Sequence, residues 1–234
     1  MIICLETSTP LCSAALCDNS GVVALRESAD GKSHASLLTV FIDELLNEAG
    51  INAAGLEAVA VSKGPGSYTG LRIGVSAAKG IAYAASIPLI GVDTTLSMFH
   101  GISEIAKKNS LTGDSTLFVP MLDARRMEVY YSIFTANGEI YREVSAEVIN
   151  ENSFSDIPAD TRLVFFGDGA SKCRGILESP NKIFIENFRI SAAHMYKPAF
   201  KAFREKGFED TAYFEPFYLK DFITSRPKKN ILGR

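Results

Sequence analysis

Three sets of residues in this chain have the types needed for chemistry, and their spacing decides how far each goes. The first is a glycine-rich stretch, Ser62-Lys63-Gly64-Pro65-Gly66-Ser67-Tyr68-Thr69-Gly70-Leu71-Arg72-Ile73-Gly74. Its glycines permit positive φ and close approach, as a phosphate cradle requires. Neither phosphate-binding pattern is met. Gly70 is followed by Leu71-Arg72 where a P-loop has Lys-Ser/Thr, and Thr69 stands at the third glycine of G-x-G-x-x-G. Pro65 also removes one backbone donor. The second set is two carboxylates, Glu6 and Asp123, each closing an apolar run. With Lys63 they are the candidate nucleotide contacts, and weak ones. The third set is His34, His100, His194, four separated cysteines and Ser67. No H-x-x-x-H pair or C-x-x-C pair is present, so no zinc site follows. Pro65 occupies the first position of G-x-S-x-G, so no nucleophile elbow follows either. A peptidase reading finds no support here.

The composition narrows the classes further. Of 234 residues, 47% are hydrophobic, which a folded globular chain requires. The net charge of −3 gives no global attraction for nucleic acid, so any RNA contact must be local or come through a partner. Cys4 and Cys173 sit among apolar neighbours and read as buried, reduced thiols. The N-terminal run is too short for a signal peptide, and the longest apolar stretch, 81–92, contains Pro88 and falls short of a membrane span. The expectation is a soluble, cytoplasmic protein with no membrane partner.

The elements that would position these residues repeat. Strand 2–5 ends at Glu6, and a hairpin of 12–17 with 22–27 follows. Ser33 reads as the cap of a helix to residue 49, closed by Gly50. Strand 56–62, the glycine loop, helix 70–85, strand 88–92 and a helix to 108 complete the first half. Strand 118–123 then ends at Asp123 and is followed by a hairpin of 128–134 with 139–144. Strand 163–166 meets Gly167-Asp168-Gly169 and a helix over 171–177. A shortened helix is expected between this hairpin and strand. A last helix is expected over 192–205. The aromatic segment 211–219 should pack back on a lobe, and 225–234 forms a basic tail. The reading is a duplicated α/β fold of two lobes, each with a mixed sheet and flanking helices. The boundaries are 1–108, 109–210 and a C-terminal segment 211–234.

The helix after the loop is short of bulk, with Gly74, Ala77, Ala78, Gly80, Ala82 and Ala85. Each interior glycine costs about 1 kcal/mol relative to alanine. Close approach by another element would offset that cost. Together with the wide apolar stripe of 34–49, this suggests a two-helix face for a helical partner. The predicted interface residues are Leu38, Phe41, Ile42, Leu45, Leu71, Arg72, Val75, Ala78, Lys79 and Ala82. Gly64, Pro65, Gly66, Ser67, Tyr68, Thr69 and Gly70 would organise the interface helix.

The 63–74 stretch closely resembles the signature of the TsaB (YeaZ) family. So do Glu6-Thr7-Ser8-Thr9, Ala78-Lys79-Gly80, Gly91-Val92, Leu122 to Tyr130 and Glu215 to Leu219. The resemblance is dense over 1–130. It implies an actin/Hsp70-like (ASKHA) duplicated fold. It also implies a non-catalytic dimerisation subunit that stabilises a TsaD paralogue, which transfers threonylcarbamoyl to adenosine 37 of tRNA (t6A modification). A TsaE ATPase and tRNA would join through the complex. A homodimer would use the same helices and compete. No cofactor is implied for the isolated chain, ATP and Mg²⁺ being used by the complex. The missing histidine pair favours TsaB over TsaD. Glu6 stands where the family more often has Asp, Tyr68 where Phe is common and Lys220 where Arg is usual. The alternative is an independent ATP-binding enzyme of the ASKHA superfamily.

Overall fold

A computed structural model describes residues 1–29, 34–113 and 115–220. The expected cap Ser33 and the basic tail 225–234 lie outside the described residues. Two five-stranded sheets form. The first contains β1 (Ile2–Glu6), β2 (Cys12–Asp18), β3 (Gly21–Ser28), β4 (Ala58–Gly64) and β5 (Leu89–Asp93), in the order β3-β2-β1-β4-β5. The second contains β6 (Thr116–Asp123), β7 (Glu128–Thr135), β8 (Ile140–Val148), β9 (Arg162–Phe166) and β10 (Lys182–Ile185), in the order β10-β9-β6-β7-β8. The order is the same in both, with antiparallel hairpins and parallel crossovers. The duplication read from the sequence is therefore real, and the topology is the actin/Hsp70-like one.

The helices are α1 (His34–Glu48), α2 (Tyr68–Ala85), α3 (Thr94–Lys108), α4 (Ala170–Leu177) and α5 (Tyr196–Arg204). Gly50 ends α1 at φ +65°, as a C′ glycine should. One expectation fails. No helix fills the space between β8 and β9. Turns there carry Ile149, Phe154 and Ile157 into the second core in its place. The 192–205 segment opens as a 3-10 turn, Ala192–Met195, before α5 begins.

Alternation along the strands gives each sheet two apolar faces. On the first sheet, Ile3, Leu5, Ala14, Leu16, Val59 and Val61 face α1 and α2. The opposite face, with Ile2, Cys4, Ala15, Ala60 and Ile90, is covered by Ala192, Met195, Ala199 and Phe200. On the second sheet, Phe118, Leu122, Phe134, Val164 and Phe166 are covered by Met98, Phe99, Ile102 and Ala106 of α3. The last helix of each half thus crosses to the other half's sheet. Thus α3 packs on the second sheet and 192–204 on the first. All four cysteines are free and buried. Among the described residues, no helix is long and apolar enough to cross a membrane.

The two crossing elements meet at a histidine. A Cβ at Gly101 of α3 would run into the His194 ring. That ring stacks on Phe188, and its Nδ1 accepts the Ser191 N–H at 3.2 Å. Burial lowers His194 to about 4. His100 is lowered to about 4 by burial, with Lys197 and Lys201 adding to the effect. Both rings are therefore neutral in the fold, while the unfolded chain takes up protons near 6.5. Their contribution is complete above pH 6.5 and is lost as pH falls toward 4. Urea midpoints should fall already between pH 6.5 and 5, above the carboxylate range. His194→Gln should show a shallower fall; an unchanged slope would contradict this.

Candidate functional site

The glycine stretch spans the end of β4 and the start of α2. Ser67 caps the helix: its Oγ accepts from the Gly70 N–H at 3.2 Å, and its own N–H donates to the Ser8 carbonyl at 2.7 Å. Thr7 Oγ1 donates to the Gly70 carbonyl at 2.8 Å. A Cβ at Gly70 would strike the Thr7 carbonyl oxygen, and one at Gly74 would strike Thr7 Oγ1. At Gly66 it would lie 2.6 Å from Ser8 Cβ, and at Gly64 2.5 Å from the Phe217 carbonyl oxygen. The loop's glycines thus admit the chain's own backbone, from the β1–β2 turn and the C-terminal segment. Close approach by a partner does not account for them.

The C-terminal segment runs along α2. Lys79 Nζ donates to the carbonyls of Ala212 and Phe214, each at 3.0 Å. The Phe217 N–H donates to the Lys63 carbonyl at 2.6 Å. Tyr218 lies against Tyr68, whose ring carries the Arg72 guanidinium at 4.8 Å. Lys220 pairs with Glu128 on the second lobe. Of the expected inward-packing aromatics, Phe214 is buried, whereas Tyr213 remains 84% exposed.

Most of the predicted interface residues face inward. Leu38, Phe41, Ile42, Leu45, Val75, Ala78 and Ala82 belong to the first core, and Leu71 is buried as well. Their periodicity marks contact with their own sheet. Lys79 is held by the C-terminal segment, and only Arg72 of the set is exposed. The outward side of α2 instead carries Arg72, Ser76, Gly80 and Tyr83, the last 83% exposed. A Cβ at Gly80 would meet nothing within 4 Å. On α1, Val40 and Asp43 face solvent. The spacing that identified the helices already contained these positions, because the side opposite a buried stripe is the exposed one.

The three candidate nucleotide contacts occupy separate surroundings. Glu6 is 0% exposed, and its Oε1 accepts from the Ser8 N–H and Ser62 Oγ, each at 2.7 Å. Burial, opposed by those donors, raises its carboxyl above the ordinary value. Lys63 lies 3.5 Å from Asp93. Asp123 pairs with Lys172 and accepts the Arg125 N–H at 2.8 Å. Among the described residues, no group of three or more His, Cys, Asp or Glu side chains is placed to hold a metal ion.

Residues 26–203 match the family model described as TsaD, tRNA N6-adenosine threonylcarbamoyltransferase. The chain belongs to this family. It is 34% identical over 131 residues to the tRNA threonylcarbamoyladenosine biosynthesis protein TsaB of Escherichia coli K12, covering 56% of this chain and 53% of that protein. The chain therefore spans about half the length of that relative. It is 29% identical over 226 residues to the TsaB of Bacillus subtilis 168, covering 94% of this chain and 93% of that protein. The structure of YeaZ from Pseudomonas aeruginosa superposes with a TM-score of 0.76 at 23% identity, over 93% of this chain and 99% of that one, which shows a shared fold. The resemblance to TsaB (YeaZ) read from the sequence holds.

Two glycines of α2 make opposite predictions. Gly70→Ala places a methyl on a fixed carbonyl and should destabilise by about 3 kcal/mol or more. Gly80→Ala fills open solvent and should stabilise by about 1 kcal/mol. Urea denaturation of both variants checks the signs; similar effects at the two positions would contradict the assignment.

Proposed function

We propose that this chain serves t6A synthesis as a non-catalytic subunit that docks on and stabilises a TsaD-type paralogue. The docking surface is the outward side of α1 and α2. The relatives' names support the pathway, and Gly80 carries the docking surface. Gly70 and Gly74 are explained by Thr7, but Gly80 has no neighbour in its own fold. A bare backbone position on the exposed side of the helix, beside Tyr83, suits close packing by a partner's helix. A homodimer through the same side would compete with the heterodimer. A TsaE ATPase and tRNA would join in the cytoplasm through the complex, with ATP and Mg²⁺ used there. A sealed Glu6 is in keeping with a subunit that carries no nucleotide chemistry of its own.

The test needs a variant that disturbs the surface without disturbing the core. A charge at Val75 or Ala78 would be buried against the first sheet and would unfold the lobe. Gly80→Arg instead points into solvent and should leave the melting temperature unchanged or raised. It should reduce co-purification with the TsaD paralogue at least tenfold and abolish t6A formation in a reconstituted mixture. Undiminished complex formation by the folded variant would overturn the docking surface.

A further inference from the structure

A cavity of about 260 Å³ lies between the lobes, and no residue of α1 or α2 lines it. Its apolar walls include Leu11 beside the β1–β2 turn, Met98 of α3, Leu122 of β6 and Phe188. Two charged residues line it, Asp168 of the turn before α4 and Arg189. Asp168 Oδ1 accepts the Asp123 N–H at 3.0 Å. Arg189 is exposed and has no ion-pair or hydrogen-bond partner among the described residues. The two charges line one cavity yet make no ion pair with each other, which requires more than 4.0 Å between their charged atoms. The volume is below the roughly 300–1,000 Å³ of sites for drug-sized ligands. A guanidinium presents a planar fork suited to a carboxylate, and a carboxylate suits an ammonium. Opposite charges held apart over an apolar floor specify a small molecule with both charges and an apolar body.

We propose that this cavity binds a zwitterion of the α-amino acid class with an apolar side chain. Its carboxylate meets Arg189, its ammonium meets Asp168, and its side chain lies against Leu11, Met98, Leu122 and Phe188. The site is independent of the docking surface, so either can fail alone.

Met98 supplies a direct readout. The full chain, labelled with ¹³C at its five methionine methyls, is titrated with L-leucine and L-phenylalanine. L-Leucinamide, which lacks the carboxylate, and N-acetyl-L-leucine, which lacks the ammonium, are the controls. Met98→Leu assigns the resonance. Saturable movement of the Met98 methyl by the zwitterions is expected, with at least tenfold weaker response to both controls. Arg189→Gln and Asp168→Asn should each abolish the response while leaving the other methionine methyls in place. No saturable shift up to about 20 mM, beyond the range of a millimolar site, would overturn the proposal. So would an equal response to the controls, or one that survives Arg189→Gln.

Discussion

The backbone of Thr7 lies directly against the first two turns of α2, and most of the fold's geometry on that side follows from it. Only glycine fits at residues 70 and 74, because the Thr7 carbonyl and hydroxyl occupy the space a side chain would take. The Thr7 hydroxyl then bonds the Gly70 carbonyl, and Ser67 both caps α2 and holds the Ser8 carbonyl. Beneath this contact, Glu6 ties the β1 end to Ser62 on β4. The β1–β2 turn, the β4 end and the α2 start are therefore one unit. The direction of α2, and hence of its outward side, is set by that unit. A glycine loop that looks like a phosphate cradle is here filled by the protein's own chain.

The second constraint is the exchange of helices between the lobes. Because α3 covers the second sheet and α5 covers the first, neither lobe has a complete core without the other. The C-terminal segment adds a further tie, running from Lys79 past Gly64 to Glu128 on the second lobe. Large opening of the lobes would expose two apolar sheet faces. The lobes are thus held as a platform for α1 and α2.

The strand and helix pattern was legible because periodicity is local and both halves carry it. Gly50, Gly21 and Gly138 marked the ends of elements correctly, each at positive φ. The crossing of α3 and α5 was not legible, since an apolar helix face does not name the sheet it will cover. The missing helix between β8 and β9 was not legible either: the duplication implied one, but Phe154 and Ile157 fill that core from turns. At the candidate site, the structure places most of the residues expected at an interface inside the first core. Apolar positions such as Leu38 and Val75 pointed to burial, and burial in this fold is against the chain's own sheet. The informative residues are the ones that break the pattern outward, Gly80 and Tyr83. The closeness of Phe217 to Gly64 joins positions far apart in the chain, which no local signal reveals.

The central claim is that the outward side of α2, fixed by the Thr7 contact, is a protein-docking surface. Site-specific photo-crosslinking measures this most directly. A photoreactive phenylalanine analogue replaces Tyr83 on α2 or, as a control, the exposed Tyr141 on β8, and the chain is mixed with the TsaD paralogue. The account predicts a crosslinked heterodimer from position 83 and none from position 141. No crosslink from position 83, or equal yields from the two positions, would contradict it.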